Sequence, residues 1–315
     1  MRRRLLPVLL AAPAFAQTAW PDRPIRFIVP LPPGGATDIW ARLVAEPMAG
    51  MLGQPIVIEN RSGAGGMVGT EAAARAAPDG NTLLFTITTH VQSPVVLRRW
   101  PYQPLADFAP IGRMGLSPLP FVIQRDIPAN TLPEFVAWAR GRRLDYGSYS
   151  AGSTGHAMTQ LLSDAEGLAM NHVAYRGEAP LLTDMLGGRV ACAIHSMTAA
   201  GDYVRSGRLK PLACTSRVRV PSLPTVPTFL ELGYPPAFGL SGFIGLLAPA
   251  RVPGAVFSRI SEAFRATMER PDVLERLVGM DVIPAYLGPE AFAEDIAKVW
   301  ADWQGLATAM GLTVD

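Results

Sequence analysis

The chain has only two cysteines and four histidines in 315 residues. Cys192 and Cys214 form no C-x-x-C, and His90, His156, His172 and His195 are scattered with no H-E-x-x-H. The spacings of dithiol redox centres and zinc hydrolases are therefore missing, and no metal or cofactor is expected. Each cysteine lies in a short apolar run, RVACAIH or LKPLACTS, which leaves open a disulfide or two separate buried thiols. The phosphate loop G-x-x-x-x-G-K-[ST] does not occur. The third glycine of a G-x-G-x-x-G starting at Gly63 would fall on Val68, so nucleotide binding is disfavoured. The nucleophile elbow G-x-S-x-G is incomplete too: Ser150 is flanked by Ser148 and Gly152, and Ser153 by Ala151 and Gly155. An exported serine acyl hydrolase using Ser150 or Ser153 is thereby reduced to an alternative.

A strong charge of either sign is also lacking. The formal net charge is +2, and three of the positive charges are Arg2, Arg3 and Arg4 in an acid-free N-terminus. Without that segment the chain sits at about −1, which removes the usual electrostatic case for a nucleic-acid partner. Beyond the N-terminus, apolar runs stop short of the roughly 18 residues that suggest a membrane helix. The N-terminus itself reads MRRRLLPVLLAAPAFAQ, with basic residues, an apolar stretch from Leu5 to Phe15, and the small-x-small triplet Ala14-Phe15-Ala16. That is the pattern of a secretory signal peptide, residues 1–16, cleaved near Ala16 to leave an exported protein.

What remains suits two domains at the usual ~150 residues each. PIRFIVP, GQPIVIEN and NTLLFTI read as strands, separated by helices over Thr37–Leu52, where Pro47 should kink or break the helix, and Met67–Ala77. LPFVIQ, LDYGSYS, NHVAYRG, RVACAIHS and LKPLACTS read as further strands. Helices fall between them, one capped by Thr131 with Glu134 at the capping-box position. The proline-dense SRVRVPSLPTVPTFLELGYPP reads as an irregular connection, followed by the strand GFIGLLAP and helices over Gly254–Glu269, Pro271–Gly279 and Pro289–Gly305. This alternation predicts α/β architecture with helices packed on sheets. The expected partition is 17–117 with 240–315 in domain 1 and 118–239 in domain 2.

Glycines mark three strand-to-helix handovers: Gly34-Gly35, Gly63 to Gly66, and Gly152 to Gly155. A helix that starts there presents unpaired N–H groups and a positive dipole end, and glycine lets a ligand approach the backbone. Each is equally readable as an ordinary tight turn. Three together point to a shared cleft at the carboxyl ends of the sheets. Thr89, His90 and His195 follow apolar strands and are cleft candidates, whereas His172 within a strand reads as structural. Asp38 either touches ligand or complements its helix N-terminus. Arg61 either steers anions or is paired.

The segments WPDRPIRFIVPLPPGGATD, GQPIVIENRSGAGGMVGTEAAARAAPDGNTLL, LDYGSYSAGSTGH and HVAYRGEAPLLTDMLGGRV carry a family resemblance. Together with RLKPLACTS, LPTVPTFLELGYP and GLLAPARVP, they resemble the Bug family, periplasmic solute-binding proteins of tripartite tricarboxylate transporters. The resemblance runs from about Trp20 to the C-terminus through PPGG-x-x-D, NR-x-GAGG and YRG-x-AP-x-LTD-x-LGG. It implies a type II periplasmic-binding fold: two α/β domains joined by two crossing strands, closing on a small carboxylate. Membrane permease subunits are the implied partners and a monomer the implied state, with a ligand sensor feeding a signalling receptor as the alternative. By resemblance, one ligand carboxylate is gripped by Pro33, Gly34, Gly35, Ala36, Thr37 and Asp38 and by Gly63, Ala64, Gly65, Gly66 and Met67. Ser148, Ser153, Thr154, His156, Tyr175 and His195 would form the opposite wall. Two departures stand out. Tyr149 and Ser150 occupy a turn that is smaller in many relatives, and His195 stands where many carry an acid. The second favours an acid without an ammonium group, and leaves room for a second carboxylate or an aromatic body.

Overall fold

The computed structural model describes residues 20–97, 101–240 and 242–310, so the expected export segment lies outside the described residues. β1 (Ile25–Val29) leads through LPPGG into α1 (Ala36–Leu52). β2 (Ile56–Asn60), a 3-10 turn (Ala64–Gly66), α2 (Met67–Ala74), β3 (Thr82–Ile87) and α3 (Thr89–Val96) follow. β4 (Phe108–Leu116) then runs through Ser117 and Pro118 into β5 (Leu119–Gln124). Next come α4 (Leu132–Ala139), β6 (Arg143–Ser148), α5 (Thr154–Glu166), β7 (Ala169–Ala174) and α6 (Glu178–Leu186). β8 (Cys192–Ile194), α7 (Met197–Arg205) and β9 (Leu209–Thr215) precede the long proline-rich return to β10 (Phe243–Pro249). α8 (Gly254–Met268), α9 (Pro271–Gly279), β11 (Ile283–Leu287) and α10 (Pro289–Met310) complete the described chain.

These strands make two mixed sheets, β11-β4-β10-β3-β1-β2 and β7-β6-β8-β5-β9. β1 pairs in parallel with β2 and β3, while β10 lies antiparallel between β3 and β4. All seven residues of β10 are buried, as expected of a central strand covered on both faces. Each sheet carries its own apolar cores, so the chain consists of two α/β domains. Trp303 and Ala307 of α10, and Val96 of α3, are buried in the same cluster as Phe121 and Phe135 of the second sheet, so these helices brace the two units.

The alternating pattern locates most elements within a residue or two, and the differences have physical causes. α1 runs through Pro47 as one helix, because Leu43, Val44, Met48 and Leu52 hold both sides of the proline in the core. β4 was not expected, since FAPIGRMGL contains Pro110, Gly112 and Gly115 and reads as a loop. Both glycines are sites of close approach: a Cβ would lie 2.9 Å from the Phe264 ring at Gly112 and 2.5 Å from the Ile283 carbonyl at Gly115. α3 and β11 also went unanticipated. α3 contains Pro94 and β-branched residues, and its helical form comes from buried contacts at Val91, Val96 and Tyr102. The Thr131 cap forms, accepting from the Glu134 amide, but the Glu134 carboxylate reaches back to the Asn130 amide at 2.7 Å, one residue earlier than a capping box requires. Both cysteines are free. Cys192 belongs to one core of the second sheet and Cys214 to the other, and burial raises both thiols above their ordinary range.

Candidate functional site

Between the sheets lies a cleft of about 640 Å³, counting the space at its mouth. Its walls come from stretches far apart in the chain. Parts of 31–40 and of 87–92, together with Gly242 to Ile244, contribute from the first unit, with Ser117 and Leu119 at the crossing. Tyr149, Thr154, Gly177 to Ala179 and Ser196 contribute from the second. Five helices start on it: α1 at Gly35, α3 at Thr88, α5 at Thr154, α6 at Gly177 and α7 at Ser196. The α5 and α7 starts are capped by the Ser153 and Ser196 hydroxyls, whereas α1, α3 and α6 have no side-chain cap. Uncapped amides on an apolar wall favour an anion.

The LPPGGATD loop is held by its own aspartate. Asp38 accepts from the Gly34 amide at 3.0 Å, from Arg42 Nε and Nη2 at 3.1 Å each, and from Asn60 Nδ2 at 3.0 Å. Asn60 also donates to the Leu31 carbonyl. Burial opposes ionisation of Asp38, but bonds from Arg42, Gly34 and Asn60 outweigh it and hold the carboxyl below its ordinary range. Asp38 is thus a clamp on the loop and is turned away from the cleft. Gly34, at φ +77°, takes the left-handed conformation that lets its amide face Asp38. Pro33 and Gly34 are exposed, while Gly35, Ala36 and Thr37 line the cleft.

The second glycine loop sits elsewhere. Gly63, Ala64, Gly65, Gly66 and Met67 are not among the cleft-lining residues, and Met67 is buried in the core under α2. Gly65, at φ +68°, lies where the two units touch: a Cβ there would stand 2.6 Å from Ser93 Oγ and 3.0 Å from Ser150 Oγ. Ser93 in turn donates to the Gly65 carbonyl at 2.8 Å. Thr89 and His90 also point into domain 1. Thr89 is buried, and the His90 ring bonds the Pro104 carbonyl through Nε2 at 2.9 Å, stacks on Tyr102 and meets Phe108 edge-on. His90 is therefore a core residue; the cleft role expected from its place after β3 falls to Gln92, two residues further along. Gln92 Nε2 donates to Thr154 Oγ1 across the cleft at 2.9 Å, and Gln92 Oε1 is buried without a partner.

Of the expected opposite wall, only Thr154 lines the cleft directly. Ser148 Oγ donates to the Ser150 carbonyl and is bonded by His172 Nε2 at 2.7 Å. Ser153 Oγ donates to the Ser150 carbonyl and caps α5. His156 Nδ1 accepts from the Gly152 amide, and its ring stacks on His172 with centroids 3.8 Å apart. These groups support the turn under Tyr149, which does reach the cleft, and no serine proton among them points at a histidine base across open space. Tyr175 is tied to Asp184 by a 2.9 Å bond and lies outside the lining. Arg61 pairs with Glu59.

His195 is fully buried with neither ring nitrogen hydrogen-bonded. An acid nevertheless stands beside it. Glu178 lies 3.6 Å from His195 Nδ1, and its two oxygens accept from the Ser196 amide at 2.6 Å and the Ser196 hydroxyl at 3.0 Å. The carboxylate missing at position 195 is thus delivered from α6. Glu178 occupies the open position of YRG-x-AP and, like Trp40, Gln92 and Phe243, is not singled out by the sequence; Tyr149 stands out there only as a departure from the family pattern.

Two α/β units around a cleft fed by helix N-termini define a two-domain solute-binding protein. The family described as tripartite tricarboxylate transporter family receptor matches residues 40–312, and the chain belongs to it. Protein BugT of Bordetella pertussis is 34% identical over 309 residues, spanning 96% of this chain and 93% of that one. The structure of the periplasmic binding protein BugD superposes with a TM-score of 0.89 at 30% identity, covering 93% of this chain and 99% of that one. R. palustris Rpa4515 with adipate superposes with a TM-score of 0.88 at 29% identity, covering 93% and 98%. Among the described residues no helix is long and apolar enough to cross a membrane, and no group of three or more histidine, cysteine or acidic residues is placed to hold a metal.

Proposed function

We propose that the cleft captures a small carboxylate outside the cytoplasm and, closed around it, presents it to the membrane permease subunits of a tripartite transporter. The observation that carries this reading is the uncapped α1 N-terminus, with Gly35, Ala36 and Thr37 on the cleft wall and the loop locked behind them by Asp38. Backbone amides at a helix start hold a carboxylate through charge-assisted bonds of ~1.5–3 kcal/mol each. The adipate in the R. palustris relative supports the ligand class.

We take the hinge to lie at Ser117–Pro118 and near 239/240, giving domain 1 as 17–117 plus 240–315 and domain 2 as 118–239. Residues 1–16 act as the export signal, and the mature chain acts as a monomer. The site performs capture and no chemistry, since its serines and histidines are committed to holding the turn at Tyr149. Thermal melts of the mature chain against a panel of mono- and dicarboxylates test the function. A ligand at 100 times its Kd adds about 2.7 kcal/mol of stability and raises the melting temperature by several degrees. A flat response to every acid in the panel would sink the proposal.

A further inference from the structure

The cleft contains one charged side chain among its described lining residues, and its charge is negative. Glu178 is held with both oxygens accepting, from the Ser196 amide and from the Ser196 hydroxyl. Ser196 Oγ itself accepts from the Ala199 amide, so its proton is directed at Glu178 and the carboxylate sits as a fixed anion on the start of α7. At the start of α5, Ser153 Oγ likewise occupies the His156 amide, and the uncapped start of α6 carries Glu178 itself. Around these groups the cleft is apolar: Leu31, Trp40, Ile87, Leu119, Phe243 and Ile244. Glu178 also faces Tyr149, whose phenol is raised by burial and, secondarily, by that negative charge.

Resting on the carboxylate reading above, we infer that this cleft is selective for acids with a single carboxylate and an apolar body, and that Glu178 is the residue that excludes a second carboxylate. Two physical effects act against a second carboxylate. A ligand's carboxylate on the α1 amides leaves its far end among apolar side chains and beside a like charge that bulk salt screens poorly once the cleft is closed. The Ser196 amide and hydroxyl would otherwise serve a second carboxylate, and Glu178 already occupies them. The adipate-bound relative shows that a dicarboxylate fits a fold of this kind, so the discrimination falls to the side chains of this chain. His195 Nδ1, 3.6 Å from Glu178, is too far for a hydrogen bond.

The test is a matched pair at pH 8, where both acids are fully ionised: hexanoate and adipate, equal in carbon count, titrated calorimetrically into the mature protein. Hexanoate should bind at least tenfold more tightly than adipate. Glu178→Gln should narrow that ratio, and Glu178→Ala, which frees the Ser196 amide and hydroxyl, should raise adipate affinity at least tenfold and by more than it changes hexanoate affinity. A gain in affinity cannot come from misfolding. Adipate binding as tightly as hexanoate in the unaltered protein overturns the inference, as does an unchanged ratio in both variants. Adipate winning outright would leave carboxylate capture standing and refute only the single-carboxylate selectivity. Absence of binding by both acids, and by benzoate and phthalate as a second pair, refutes the capture reading and this inference with it.

Discussion

At the scale of single residues, His90, His156 and His172 do structural work that depends on their being neutral. Burial lowers His156 to about 4; burial and then the neighbouring His156 charge lower His172 to about 3. His90 is likewise lowered by burial to about 4. The unfolded chain takes up protons on these rings as pH falls through about 6.5, while the folded protein does not until about 4 or 3. The unfolded state therefore binds more protons across that window, and stability falls as pH drops from about 6.5 towards 4, with His172 extending the loss towards 3. His156 alone accounts for roughly 3 kcal/mol at the acid end of the window. Replacing His172 with Gln, which keeps a donor for Ser148, should flatten the loss of melting temperature between pH 7 and pH 4. Equal losses in the two proteins would contradict this account.

At the scale of elements, the two glycine loops of domain 1 have different tasks. The β1–α1 loop lines the cleft and is set by Asp38, Asn60 and Arg42. The β2–α2 loop meets Ser93 of α3 and Ser150 of the other unit. Gly65→Ala would place a Cβ 2.6 Å from Ser93 Oγ in a left-handed backbone conformation. A destabilisation of about 1–3 kcal/mol is expected in urea unfolding, with the Ser93 to Gly65 bond displaced. A bulkier residue there would damage the fold as well as binding, so loss of binding in such a variant would not by itself mark Gly65 as a ligand contact.

Legibility also varies by element. β1, α1, α5 and β10 follow plainly from apolar periodicity and turn residues, because local pattern and tertiary burial agree there. β4 carries glycines for close packing, which locally resemble turn signals, and α3 is helical only because the core around Val91 and Tyr102 holds it so. The cleft was legible as backbone and illegible as side chains. Gly35, Ala36 and Thr37 were expected and found there, whereas Trp40, Gln92 and Glu178 depend on which way each helix faces.

At the scale of the whole molecule, the described conformation has the two units in contact around the cleft. Trp40 Nε1 donates to Thr198 Oγ1 at 3.0 Å, and Thr198 donates onward to the Met280 carbonyl at 3.1 Å. Ser222 donates from its amide and hydroxyl to Asp281 at 2.9 and 2.7 Å, and Pro32 packs on Gly177. Thr198→Val keeps the shape and removes both Thr198 bonds. At about 1 kcal/mol for each bond lost, ligand affinity should fall roughly five- to thirtyfold with little change in the stability of either unit. An unchanged affinity would show that these bonds play no part in closure.

The sequence by itself determined the α/β alternation, the bare-backbone handovers suited to an anion, and the family to which the chain belongs. Those properties reside in local periodicity, turn chemistry and motif spacing. Tertiary structure alone decided that the second glycine loop supports contact between the units, that His90 belongs to the core, and that a carboxylate reaches the cleft from α6 where position 195 offers none. The reason is geometric. A helix N-terminus is set by a few neighbouring residues, but which side chains meet across a cleft is set by the packing of elements as much as 158 residues apart, as at Trp40 and Thr198.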